Sequence, residues 1–208
     1  MNILVLGATG GVGRQVVSQA LAESHNVTAL VRDTRRITTV SDRLQVVQGD
    51  VTADSPTLSD VVRGQDAVIC ALGVPSLTPH RLIERSAPLI VRAMERHGVR
   101  RLIHTSAFGV GGTYADVPLL PRLFIRTLLR RVYGDKAKGE ESIHGSDLDW
   151  TIVYPAGLTD GPRTGRCRAG EHIALRGLPT ISRADVAEFL LKQIADRTYV
   201  RKDILIAS

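Results

Sequence analysis

Aromatic residues are scarce in this chain: Phe, Tyr and Trp together make up 4% of its 208 residues. A surface that binds single-stranded nucleic acid needs aromatic platforms for the bases. The net charge of +6 is therefore not read as a nucleic-acid footprint, but as a field suited to a polyanionic cofactor and an acidic substrate. Cysteine is almost absent. Cys70 and Cys167 stand far apart and form no metal-type spacing. Cys70 sits in an apolar run and reads as core packing. The six histidines show no ligand spacing, so no metal is expected. No apolar run approaches the ~18 residues of a membrane span. The basic and apolar segments of a secretory signal are missing from the first residues, so a cytoplasmic location is expected. Repeats, low-complexity tracts and linkers are also missing. With 43% apolar residues, the whole chain, 1–208, reads as a single domain.

What is present begins at once. Residues 3–6 are an apolar run of strand length, stopped by Gly7 in the sequence Gly7-Ala8-Thr9-Gly10-Gly11-Val12-Gly13. Val12, Val16, Val17, Ala20 and Leu21 then share one helical face. Strand, glycine turn and helix in this order are the setting in which such a motif binds a dinucleotide. Gly7 allows the tight turn, Gly10 or Gly11 lets a pyrophosphate approach the backbone, and Gly13 lets helix and strand pack closely. The helix N-terminus then offers its free N–H groups to the anion. The spacing is Gly-x-x-Gly-x-x-Gly; the alternative is a structural turn that binds no phosphate.

The rest of the chain alternates in the same way. Strands are expected at 26–31, 44–48, 67–72, 101–105, 150–154 and 204–206, and helices at 57–63, 81–97, 136–144 and 183–195. Alternation with right-handed crossovers implies an α/β fold, a Rossmann-type doubly wound parallel sheet. Its C-terminal part would form the substrate wall. Residues 117–132 stand apart, with Arg122, Arg126, Arg130 and Arg131 among leucines and Phe124 and only one titrating sign. As a basic amphipathic helix this stretch reads as a surface helix, a substrate lid, a dimer face or a membrane-surface helix. A monomer or a homodimer is expected.

The strand ends suggest how a cofactor is tuned. An NAD-selective site places a carboxylate at the end of the second strand to accept from the ribose 2′-OH. Here Val31 occupies that place and Arg32 follows, with Arg35 and Arg36 close behind. A guanidinium matches a 2′-phosphate, so NADP(H) is expected. Asp50 could accept from the adenine amino group with Val51 packed on the ring, or it could cap a turn. Leu72 and Gly73 end the fourth strand beside the glycine loop. Thr105 and Ser106 end the fifth, where a polar group meets the nicotinamide. Tyr133 and Lys136 are three apart, not four, and so do not form the Tyr-x-x-x-Lys pair of ordinary short-chain dehydrogenases. Lys136 is expected at the cofactor and, with Ser106, to orient the reacting groups. A substrate that takes hydride directly and a proton from solvent fits this pattern.

These motifs together resemble the atypical short-chain dehydrogenases of the biliverdin-IXβ reductase / flavin reductase type and their bacterial NAD(P)-binding relatives. The resemblance is carried by Gly7-Ala-Thr-Gly, Leu30-Val-Arg-Asp33, Val46-Val-Gln-Gly-Asp-Val51, Thr105-Ser-Ala-Phe108, Asp160-Gly-Pro-Arg-Thr-Gly165 and Ile181-Ser-Arg-Ala-Asp-Val186. It implies an NADPH-dependent reductase with a broad, shallow site for flavins such as FMN, linear tetrapyrroles or similar flat acceptors. It further implies that Gly7, Thr9, Gly10, Val12, Arg32, Arg35, Arg36, Asp50, Val51, Leu72 and Gly73 carry the adenosine and pyrophosphate. By the same resemblance, Gly157 and Leu158, after Pro155, give backbone contacts to the nicotinamide. Lys136 stands where the mammalian form has a histidine, Gly157 likewise, and Tyr154-Pro-Ala-Gly replaces a two-proline stretch. Flavin reduction is the expectation. The rivals are a non-catalytic NADP(H) redox sensor, favoured by the missing tyrosine–lysine pair, and a nucleotide-sugar epimerase, which would require that pair.

Overall fold

The computed structural model describes residues 1–73, 81–116, 130–175, 177 and 179–208. The strands are β1 (Asn2–Leu6), β2 (Asn26–Val31), β3 (Leu44–Gln48), β4 (Ala67–Cys70), β5 (Arg101–Thr105), β6 (Asp149–Pro155), β7 (Gly157–Thr159), β8 (Arg168–Gly170), β9 (Thr180–Ser182) and β10 (Lys202–Ala207). The helices among the described residues are α1 (Gly11–Ala22), α2 (Pro56–Val62), α3 (Leu82–His97), α4 (Arg130–His144) and α5 (Arg183–Lys192). Eight strands form one sheet in the order β3-β2-β1-β4-β5-β6-β10-β8, parallel except for β8, while β7 and β9 pair separately. The strand order reverses between β1 and β4, which is where open α/β sheets bind ligands. The fold is the Rossmann-like α/β arrangement that the alternating pattern predicts.

Each strand feeds two cores. In β1, Ile3 and Val5 pack under α1 and α5 with Val16, Val17, Val186 and Leu190. Leu4 and Leu6 pack on the opposite face with Val62, Ile83, Met94 and Ile143 of α2, α3 and α4. Alternate side chains on opposite faces of a strand require this division. Full burial of each such side chain contributes about 1.5–3 kcal/mol.

Helix boundaries depart from the sequence expectation where tertiary contacts override local preference. α4 begins at Arg130, not at 136, and runs through Gly134. That glycine faces solvent and costs only about 1 kcal/mol, which the buried Asp135 and Lys136 beside it override. Asp135 also caps α3: its two carboxylate oxygens accept from the backbone N–H groups of Ile83, at 3.2 Å, and Glu84, at 3.0 Å. α3 has no capping side chain of its own. Asp135→Ala should therefore destabilise the fold by about 1–2 kcal/mol, seen as a lower urea midpoint at unchanged slope. An unchanged midpoint would show that the cap is dispensable. The strands β7, β8 and β9, each three residues long, were not expected; runs this short carry no periodicity. Most of the basic stretch, residues 117–129, lies outside the described residues, while Arg130 and Arg131 open α4. Among the described residues no helix is long and apolar enough to cross a membrane, and no group of His, Cys, Asp or Glu is placed to hold a metal.

Candidate functional site

The glycine loop joins β1 to α1 at the switch point. Gly7 has φ +89°, and a Cβ there would lie 2.4 Å from the Ala71 carbonyl oxygen. The loop is thus pressed against the residues that follow β4, Ala71 and the Leu72 nitrogen. The Gly10 N–H donates to the Gly7 carbonyl at 2.9 Å, closing the turn. Gly13 packs tighter still, its Cβ position 2.1 Å from the Gly7 oxygen. Gly10 is the N-cap of α1. No side chain caps that helix, and no acid lies in its first turn. Thr9 is half-buried, Gly10 and Gly11 are exposed, and Val12 is buried. The first N–H groups of α1 are the type of donor set that receives an anion. Over this end lies Arg183, whose Cδ and Nε would meet a Cβ on Gly11 at 2.6 Å. Its guanidinium is held by Asp160 at 2.7 Å.

The basic residues after β2 separate into two kinds. Arg35 is engaged: its Nε and Nη2 donate to both oxygens of Asp33, at 2.9 and 3.1 Å, holding that carboxyl below the usual range. Arg32 and Arg36 are exposed. Arg32 acts electrostatically on Asp50 across the strand ends. Asp50 forms a turn, its Oδ1 accepting from the Thr52 N–H at 2.8 Å and the Thr52 hydroxyl at 2.7 Å; these bonds lower its pKa. Val51 is buried beneath it.

At the end of β5 the structure assembles a buried polar cluster. Ser106 is 6% exposed, and its hydroxyl donates to Oε1 of Glu140 in a short hydrogen bond. Oε2 of Glu140 accepts from the Tyr154 hydroxyl at 2.9 Å. Lys136 is buried one turn earlier on α4. Burial pushes the Glu140 carboxyl up, while the two hydroxyls and the Lys136 charge pull it down. Burial likewise lowers Lys136. Thr105 turns inward, its buried hydroxyl unpartnered. The Tyr133 hydroxyl is spent on the Phe108 carbonyl at 3.2 Å, and burial raises its pKa.

The far wall follows β6. Pro155 is buried, while Gly157 and Leu158 are exposed. The Gly157 N–H is already donated to the Pro179 carbonyl at 3.0 Å, and Gly157 pairs with Thr180 in the β7–β9 ladder, which leaves the Leu158 side chain as the exposed surface here. The wall is tied down by Asp185, almost fully buried. Asp185 accepts from the N–H groups of Thr164, at 2.7 Å, and Gly165, at 2.9 Å, and from the hydroxyls of Thr164 and Ser182. Asp185 is thus a structural anchor.

A family model described as NAD(P)H-binding matches residues 7–197. The chain belongs to this NAD(P)H-binding family. Over 194 residues it is 34% identical to a 3-diazoavenalumate denitrifying reductase of Streptomyces sp, covering 82% of this chain and spanning about three fifths of that protein. Among solved structures it superposes on ChuY, an anaerobillin reductase of Escherichia coli O157:H7, with TM-score 0.82 at 23% identity, covering 99% of this chain and 96% of that one. It also superposes on a short-chain dehydrogenase/reductase of Veillonella parvula solved in complex with NADP, with TM-score 0.84 at 19% identity, covering 100% of this chain and 94% of that one.

An NAD(P)H-binding chain must leave room for a pyrophosphate, and this one does. The uncapped α1 terminus and the absence of side chains at Gly10 and Gly11 fit that group. Glu140 and Tyr154 were not singled out from the sequence. Glu140 precedes Glu141 and looks like part of a solvated helix face. The available signal was its register with Lys136 and Ile143, one apolar-facing row on α4.

Proposed function

We propose that the protein is an NADPH-dependent reductase that delivers hydride to a flat conjugated acceptor, whether a flavin such as FMN, a linear tetrapyrrole or a quinone. The observation that carries this reading is the pairing of an open, uncapped glycine loop with a buried Ser106 hydroxyl at the end of β5, two strands away. NADPH supplies the hydride, and the chain positions the reactants. Arg32, exposed at the end of β2 where no carboxylate stands, selects the 2′-phosphate. Gly7, Thr9, Gly10, Gly11, Val12 and Gly13 hold the pyrophosphate, and Leu72, Gly73, Lys136 and Leu158 border the ring. The names of the Streptomyces relative and of ChuY, both reductases, support this assignment.

The test is NADPH oxidation by purified protein with excess FMN, against NADH and an enzyme-free control. Saturable turnover favouring NADPH is expected. Arg32→Glu should cut kcat/KM for NADPH by roughly a hundredfold, the size of a lost charge-assisted hydrogen bond plus repulsion, and bring NADH level or ahead. An unchanged preference would remove Arg32 from the phosphate site. A second reading is a redox sensor, favoured by the Tyr133 hydroxyl being engaged with the Phe108 carbonyl. Tight NADP binding without turnover on flavin, quinone or tetrapyrrole would select it.

A further inference from the structure

We infer that Glu140 is the proton donor of the reduction, passing its proton through the Ser106 hydroxyl to an acceptor whose hydride adduct is a strong base, and that Tyr154, Asp203 and His144 return protons to it from the protein surface. This rests on the reductase reading above and narrows its substrate class.

The geometry is a row of neighbouring polar groups, hydrogen-bonded from Ser106 through Glu140 to Tyr154 and again from Asp203 to His144. Ser106, at the strand ends, is bonded to one oxygen of Glu140, and Tyr154 to the other. Tyr154 is fully buried and Glu140 nearly so, at 0% and 2% exposed. The Gly111 main chain closes over them: a Cβ there would lie 3.2 Å from Glu140 Oε2 and 3.8 Å from the Tyr154 oxygen. Bulk water therefore does not reach the carboxyl directly. Asp203 on β10 faces the Tyr154 hydroxyl. Oδ1 of Asp203 is 3.0 Å from Nε2 of His144, and both side chains are about two-fifths exposed, at 40% and 38%. The path thus begins at solvent under α4 and ends at the candidate site.

The charged groups facing Glu140 are Lys136 and His144 on its own helix and Asp203 on β10; Ser106 and Tyr154 face it from the β5 and β6 ends. Burial, the largest influence, and Asp203 favour the acid, while the Ser106 and Tyr154 hydroxyls and then Lys136 favour the carboxylate. The Glu140 carboxyl is thereby raised above its usual value, the direction that a general acid needs.

The balance is simple. NADPH supplies a hydride, and the acceptor then needs one proton. When Glu140 carries its proton on Oε1, the Ser106–Glu140 bond reverses and the carboxyl donates to Ser106 Oγ; the basic atom of the adduct then takes the Ser106 hydroxyl proton as Oγ takes that of Glu140. One O–H bond breaks at Glu140, one bond to hydrogen forms on the acceptor, and a carboxylate remains. Tyr154 passes a proton to Oε2 and recovers one from Asp203, with His144 as the exchange point with water, and a half-turn of the carboxyl brings the new O–H to the Ser106 side. Hydride addition to a flavin leaves an anion that is a weak base and needs no such donor in the same step. A conjugated imine or carbonyl, as in a linear tetrapyrrole, becomes a strong base. A built-in donor therefore points to the latter class.

The test compares wild type, Glu140→Gln and Tyr154→Phe in single turnovers of NADPH with biliverdin and with FMN, across neutral to alkaline pH, in H2O and D2O. NADPH affinity is measured by fluorescence, and infrared spectra are recorded for a protonated buried carboxyl. Wild type should show that carboxyl band near neutral pH, a solvent isotope effect with biliverdin, and a rate that falls as pH rises. Glu140→Gln should lose the band and the pH dependence. Its biliverdin rate should fall about a hundredfold, tenfold or more beyond any loss with FMN, at NADPH affinity within about twofold. Tyr154→Phe, which removes only a hydroxyl, should give a smaller loss in the same direction and serves if Glu140→Gln does not fold. Reduction of biliverdin at equal rates and with one pH profile in all three proteins overturns the relay while leaving the reductase standing. Turnover of FMN with biliverdin untouched overturns the substrate class. NADPH binding with no oxidation by either acceptor overturns the reductase reading, and the relay with it.

Discussion

Gly13→Ala is expected to weaken NADPH binding roughly a hundredfold or more, about 3 kcal/mol, in a fluorescence titration. The cause is steric. Gly13 lies inside the first turn of α1 with ordinary helical dihedrals, where alanine is the better helix former by about 1 kcal/mol. Propensity alone would therefore make the substitution stabilising. The new methyl, however, would lie 2.1 Å from the Gly7 oxygen, 2.7 Å from its carbon and 2.9 Å from the Ala8 Cα. All three are backbone atoms of the turn, which cannot rotate aside as a side chain can. Overpacking of this kind costs typically about 1–3 kcal/mol, so the turn must open. Opening it moves the N–H groups of α1 away from the place where the pyrophosphate sits. Gly11→Ala is the informative contrast. Its methyl meets only the Arg183 side chain, which can swing off Asp160. A loss of less than about tenfold is expected there. If Gly13→Ala binds NADPH as wild type does, the loop is a structural turn and the cofactor lies elsewhere.

That loop was legible in the sequence because its chemistry demands one residue type at fixed intervals. Gly7 and Gly13 face backbone in the fold, so no other side chain fits, and the requirement shows in the spacing. The parallel sheet was legible for a related reason: residues 3–6 of β1 and all of β4 are buried on both faces and read as unbroken apolar runs. The acid–base cluster was not. Glu140 is one of two adjacent glutamates, and its burial comes from where α4 docks, a fact with no local signature. Tyr154 sits in an apolar strand and looks like packing. Its hydroxyl matters only because Glu140 meets it across the α4–β6 interface. Asp50 shows the opposite case: both a ligand contact and a turn cap were compatible with Gly49-Asp50-Val51, and the structure shows the turn formed by one of its oxygens. The engaged state of Arg35 was equally hidden, since Asp33 could have faced either way.

A second large effect is expected from pH. Lowering pH from 7 to 5 should cost the wild-type fold about 2 kcal/mol through His104 alone, read as a falling free energy of unfolding in urea. His104 is 1% exposed, and its Nε2 has no partner. Burial, with the charges of Lys136 and His144 adding to it, depresses its pKa from 6.5 to about 3. Above pH 6.5 the imidazole is neutral in both states and contributes nothing to the pH dependence. Between that value and about 3 the unfolded chain takes a proton that the native protein refuses, so stability falls as pH falls. His144 works in the opposite direction, because its bond to Asp203 raises its pKa; its stabilisation is present in acid and fades as pH rises through the raised value. Wild type alone would therefore blur the two. His104→Leu separates them: its neighbours Cys70, Ile90, Leu102 and Ile143 already make an apolar lining. The variant should keep the His144 contribution and lose the acid-labile one, so its stability should hold or rise on going to pH 5. Parallel pH curves for the two proteins would mean that His104 takes up its proton in the folded state. The interior beneath α3 and α4 would then be wetter than its packing indicates.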